Sequence, residues 1–167
     1  SGFRQETEVV SVDPLEALPD FKARYRPAHG NLNRSAAIWD RLVRPYTGTR
    51  YSWLIGEDGY VILHHSAEGY PWDLQVMDLM APSASSARSL LALLASHRSL
   101  CDKFTFYGSS TDALLALCPE PVWSIKECYR WMLRLVQVRE ALLLRGWPVD
   151  RRAELHLEVE DELLLSN

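Results

Sequence analysis

No stretch of this sequence offers the roughly 18 consecutive apolar residues needed to span a bilayer. The leucines of the longest candidate are bracketed by Arg88, His97 and Arg98, so no membrane span is expected. Cationic excess is missing too: 18 Lys and Arg against 22 Asp and Glu leave a formal net charge of -4. A nucleic-acid partner calls for clustered Lys and Arg to neutralise phosphates, and that class is set aside. Cysteine is scarce. Cys101, Cys118 and Cys128 are odd in number and lack the short paired spacing of a zinc or redox motif. They read as buried, reduced thiols of a cytoplasmic protein, with no metal site. The opening SGFRQETEVV lacks the pattern of a signal peptide. Glycine, finally, is absent from Asp73 to His97, the stretch around which the rest of the chain is organised.

That stretch, DLQVMDLMAPSASSARSLLALLASH, reads as strand, tight turn and helix. Asp73 to Met80 is extended in character and Pro82 interrupts it. Ser83 then caps a helix on which Ala87, Leu90, Leu91 and Leu94 recur at helical spacing. Many cofactor-binding folds hold a phosphate at such a junction, where unpaired N–H groups and the positive dipole end meet the anion. Glycines there let the backbone approach closely. This turn has none.

Before it, Val9 to Val12 reads as a short strand or linker. Asp13-Pro14 followed by Glu16 signals a helix start, with Pro19 restarting the helix and Phe21 and Tyr25 sharing one face. A second helix runs from Ser35, its cap, to about Arg44, with Ile38, Trp39, Leu42 and Val43 as an apolar stripe. The period then falls towards two, and Tyr51 to Ile55 and Tyr60 to His64 flank GEDG as an antiparallel hairpin. After the central strand and helix, Lys103 to Tyr107 gives a strand and Ser109 to Cys118 a short helix. Val122 to Ile125 and Trp131 to Val136 read as two more strands. Val138 to Leu144 is a helix stopped by Gly146 and Pro148, and Ala153 to Asp161 alternates as a strand.

This order resembles the GNAT N-acetyltransferase fold, an α+β arrangement with a mostly antiparallel central sheet and flanking helices. Three segments, HGNLNRSAAIW, RWMLRLVQVREALLLRGWP and AELHLEVEDELL, look like the "enhanced intracellular survival" family of acetyltransferases. Such proteins join a catalytic GNAT domain, a second GNAT-like domain and a domain similar to sterol carrier protein (SCP2). The resemblance implies that residues 1–12 are a linker or first strand, 13–136 the second GNAT-like domain and 137–167 the start of the SCP2-like domain. It implies that the catalytic domain precedes Ser1, that more of the third domain follows Asn167, and that the whole is a homo-oligomer. The parent protein would move acetyl from its cosubstrate, acetyl-CoA, to an amine. A lipid-carrier segment and acetyl-CoA binding at a degenerate site are the alternative readings.

A working GNAT domain binds the pyrophosphate of acetyl-CoA after its fourth strand through the pattern R/Q-x-x-G-x-G/A. The matching turn here is MAPSASSARS, where Ala84, Ser85, Ser86 and Ala87 replace glycine. Ser83, Ser85, Ser86 and Arg88 mark the degenerate position, and no cofactor is expected on this chain. Many relatives also place a tyrosine near the helix after the fifth strand to protonate the CoA thiolate. Here that helix, SSTDALLALC, has none, and Tyr107 reads as a packing contact. No catalytic residue is therefore assigned. Arg34, Trp39, Arg130, Trp131 and Arg134 carry the family likeness. They are candidates for a cleft or interface, set against a core role for the tryptophans and local pairing for the arginines. Adjacent His64 and His65 point to opposite faces of a strand and do not share a metal. Glu154, Glu158, Glu160, Asp161 and Glu162 could attract a cationic amine but fit a solvated strand face.

Overall fold

The computed structural model describes residues 3–26, 32–65, 74–109, 112–118, 122–129, 134–146, 150, 152, 154 and 156–160. The backbone divides into two compact units, Ser1–Ser124 and Ile125–Asn167.

The first unit is built on a five-stranded mixed sheet in the order β1-β2-β3-β4-β5. Its strands are β1 (Val9–Val12), β2 (Thr49–Ile55), β3 (Gly59–His65), β4 (Leu74–Met80) and β5 (Phe104–Phe106). The first four pair antiparallel, and β5 runs parallel to β4, with Leu74 opposite Phe104 and Val76 opposite Phe106. The β2–β3 hairpin turns through GEDG as its sequence predicts, Gly56 taking a positive φ of 53° that suits glycine. Both hairpin strands extend beyond the predicted ends. The crossover from β4 to the parallel β5 is α3 (Ala84–Ser96).

Alternation along the strands divides the side chains between two apolar layers. On one face Ile55, Val61, Leu63 and Val76 pack with Ala87, Leu90 and Leu91 of α3. On the other, Tyr60 and Ile62 pack with Ala17, with Phe21 of α1 (Leu18–Arg24), and with Trp39 and Val43 of α2 (Ala36–Val43). One irregularity in β4 redirects an acidic side chain. Ile62 is opposite Asp78 and Leu63 opposite Val76, so Met77 is an extra residue in the strand. Strict alternation would put Val76 and Asp78 on one face; the bulge sends Val76 to the α3 layer and Asp78 to the α1/α2 layer.

Several elements differ from the sequence reading. Asp13 does cap a turn, its Oδ1 accepting from the Leu15 and Glu16 amides at 2.8 and 3.1 Å, but the helix begins only at Leu18. Pro19 lacks an N–H and fits only the first turn of a helix, so α1 cannot start earlier and continue through it. Of the helix expected over 109–118, the described residues 109 and 112–118 hold only a 3-10 turn, Leu115–Leu117. There the Asp112 carboxylate takes the Leu114 amide at 2.9 Å, competing with a regular helical start. Residues 122–129 and 134–136 form no strand: their apolar side chains, including Val122, Ile125 and Val136, are exposed and have no ladder to complete.

In the second unit α4 (Val138–Leu144) has the predicted bounds. Residues 154 and 156–160 are not in a strand; Ala153, Leu155 and Asp161 lie outside the described residues. Of the cysteines, Cys101 is buried, Cys118 half-buried and Cys128 exposed, so burial holds for one of the three.

Candidate functional site

Two places in the first unit gather the residues singled out in the sequence. The first is the turn from β4 into α3. Ser83 is the helix N-cap, and it forms a capping box with Ser86. The Ser86 amide donates to Ser83 Oγ, and the Ser83 amide donates to Ser86 Oγ, both at 3.2 Å. The two hydroxyls are 2.8 Å apart, and Ser85 Oγ lies 3.2 Å from that of Ser83. Ser86 is fully buried and its hydroxyl also donates to the Ser83 carbonyl at 3.0 Å.

One turn further on, Arg88 is held by the carboxylate of Glu6 at 3.1 Å. The buried Ser89 Oγ accepts the amides of Glu6 and Thr7 at 2.8 and 2.9 Å. The hydroxyls are thus spent on closing the helix start and on tying down the N-terminal segment. This cradle does not fit the pyrophosphate of acetyl-CoA. Cβ atoms occupy the positions where glycine would admit the anion, and the nearby cation Arg88 already has a carboxylate. Ser83→Ala should lower stability by about 1 kcal/mol, because the cap to Ser86 is lost. A thermal melt reads this as a drop of about 2–4 °C.

The second place lies on the opposite face. The loop before α2 projects Arg34, whose Nη1 and Nη2 donate to Asp78 Oδ2 and Oδ1 at 2.6 and 2.7 Å. Tyr60 of β3 donates its hydroxyl to Asp78 Oδ2 at 2.6 Å. Against the guanidinium lie the Tyr25 ring, 3.9 Å from Arg34 Cζ, and the Trp39 ring at 4.7 Å. Those two rings meet edge to face at 5.5 Å. The Arg34 and Asp78 side chains are only 14% and 9% exposed.

Burial alone pulls the arginine's pKa down, but the hydrogen bonds and charge of Asp78 outweigh it and the net shift is upward. Burial first, and the Asp78 charge second, push the Tyr60 phenol well above its ordinary value. Tyr60 therefore stays a neutral donor at physiological pH and is not a base. Beside this network is an open cleft of about 370 Å³ bounded by Lys22, Tyr25, Asn33, Arg34, Ala36 and Trp39. Chemically the network is a tie between a loop, β3 and β4, with its charges answered internally.

The sequence reading named Arg34 and Trp39 but missed Asp78 and Tyr60. Asp78 is the only ionisable residue in the strand LQVMDLM, and a buried charge demands a partner, which was the available signal. Arg130 and Trp131 lie outside the described residues, and Arg134 is an exposed residue of the second unit. Tyr107 is 88% exposed just past β5, so it is not the packing contact expected of it. Glu154, Glu158 and Glu160 are exposed; Asp161 and Glu162 lie outside the described residues. His64 and His65 are both half-buried, and no group of three or more metal-ligating side chains occurs among the described residues. No helix there is long and apolar enough to cross a membrane.

Comparison with known proteins agrees with this architecture. Residues 30–135 match the acetyltransferase (GNAT) domain family. A crystal structure of a GCN5-related N-acetyltransferase from Anabaena variabilis is similar with a TM-score of 0.84 and 37% identity. The match covers 96% of this chain and 44% of that one, so the chain spans less than half the length of that relative. Among curated proteins no match was found. With a parallel β4–β5 pair joined by a capped helix, a four-stranded antiparallel meander and this family match, the chain belongs to the GNAT acetyltransferase domain family.

Proposed function

We propose that this chain is a non-catalytic GNAT domain of a larger, cytoplasmic N-acetyltransferase, related to the "enhanced intracellular survival" proteins. Its work is to shape the substrate cleft and the assembly. Acetyl transfer from acetyl-CoA to an amine belongs to a separate GNAT domain of the same protein, and the segment from Gln137 onwards opens an SCP2-like domain. The cleft beside Arg34 and Trp39 is proposed to face the neighbouring domain or a second copy in a homo-oligomer, and the exposed Arg134 of the second unit is a separate candidate for such a contact.

One observation carries the non-catalytic reading: the β4–α3 turn is closed on its own serines, with Arg88 paired to Glu6. The limited coverage of the Anabaena variabilis relative leaves room for further domains. The test is Ser85→Asp in the longer protein. Aspartate in the first turn favours the helix dipole, so folding is preserved while any anion is repelled. The expected result is a kcat/KM for acetyl transfer within about twofold of the parent; a loss of about tenfold or more means the turn takes part in catalysis.

A further inference from the structure

At the open end of the β2–β3 ladder two buried side-chain nitrogens, Arg50 Nη1 and His64 Nδ1, have no hydrogen-bond partner. Arg50 and His64 are directly opposed across the ladder, so they lie on the same face, the one that carries α2. Arg50 Nε donates to the Leu42 carbonyl in the last turn of α2 at 3.0 Å, which anchors the guanidinium. Buried polar groups are almost always satisfied, and an unanswered charge is the most costly case.

The surroundings offer no acid to answer it among the described residues. Asp40 of α2 is paired with Arg44. On β4 the residue opposite His64 is Gln75. His65, next along β3, lies on the other face and adds a weak repulsion to His64. Burial lowers the pKa of Arg50 with nothing to offset it. It likewise lowers that of His64, with the Arg50 charge acting in the same direction and a backbone hydrogen bond at Thr49 against it. Gly48, at a φ of 70°, sits directly against the ring: a Cβ there would be 2.7 Å from His64 Cε1. A permanently charged guanidinium and, on the same face, an imidazole whose Nδ1 becomes a donor when the ring is protonated, with no carboxylate of the described residues between them, form half of an oxyanion site.

We propose that Arg50 and His64 hold an oxyanion, a carboxylate or phosphate group that accepts from Arg50 Nη1 and, as the ring takes up a proton with it, from His64 Nδ1–H. The group is either a free ion or the acidic end of a larger ligand. This site is separate from the β4–α3 turn and does not depend on whether that turn binds CoA.

The test monitors the ring resonances of His64 by NMR in the full chain. Inorganic phosphate and acetate are titrated separately, at constant ionic strength, into a zwitterionic buffer free of both. A saturable shift with either ion is expected, together with a raised His64 titration midpoint on saturation. The apparent affinity should fall about tenfold or more in Arg50→Met. Arg50→Lys, which keeps the charge but not the fork, should retain part of the response and serves if the methionine variant does not fold. A response to phosphate alone assigns the phosphate source, and one to acetate the carboxylate source. No saturable shift with either ion, or equal shifts in both Arg50 variants and the parent, overturns the proposal. So does a response that emerges only in Glu68→Gln or Asp73→Asn, since the oxyanion is then one of the chain's own carboxylates.

Discussion

Arg34→Ala should destabilise the protein by about 3–5 kcal/mol, the cost of leaving one member of a buried ion pair without its partner. The size reflects the geometry: Asp78 is 9% exposed and loses two short hydrogen bonds at once. Among the described residues, Tyr60 would remain as its single donor. The stacking of the guanidinium against Tyr25 and Trp39 goes as well. A thermal melt should fall by roughly 10 °C. Replacing the network by Arg34→Met, Asp78→Leu and Tyr60→Phe together should restore much of the loss, because apolar replacements of similar volume leave no buried charge behind. If Arg34→Ala melts within a degree or two of the parent, the tie does not hold the loop to the sheet.

Phe21→Ala is expected to cost a similar amount, about 3–5 kcal/mol, by a different mechanism. Phe21 is completely buried, packs in one layer with Ala17, Trp39, Val43 and Ile62, and stands 5.1 Å from the Tyr60 ring. Removing it opens a cavity between α1 and the sheet that rigid neighbours fill only partly. Urea denaturation should show a lower midpoint with an unchanged slope, since the surface exposed on unfolding is nearly the same. A changed slope would mean that α1 detaches before the rest unfolds.

The two variants probe one layer from its charged rim and its apolar centre. Tyr60 is in contact with both, so their effects should not add. A double variant that loses less than the sum of the two is the expected sign of that coupling.

How much of this was legible in the sequence depends on the range of the interactions involved. Local signals were plain: Ser35 and Ser83 cap their helices, GEDG turns the hairpin, and Gly146 stands just beyond α4. Each rests on contacts within a few residues along the chain. The Arg34–Asp78–Tyr60 tie was hidden, because its members are 44 and 18 residues apart and meet only after the β4 bulge has re-aimed Asp78. Periodicity assumes an unbroken alternation and gives no warning of an extra residue at Met77. The strands read into 122–125 and 131–136 are absent from the described residues, 122–125 and 134–136, for the opposite reason. Their composition suits a strand, but a strand also needs a paired edge, and residues 122–129 and 134–136 are exposed.

The β4–α3 turn lies between these cases. Its missing glycines were visible in MAPSASSARS, while the inward closure of the serines and the engagement of Arg88 and Ser89 by the N-terminal segment were not. The two facts support the proposal that this GNAT frame keeps its strand-turn-helix junction without a cradle for CoA. Isothermal calorimetric titration of acetyl-CoA into this chain tests that most directly. The expected result is no saturable heat at micromolar to millimolar concentrations; micromolar binding that is abolished by Ser85→Asp would contradict it.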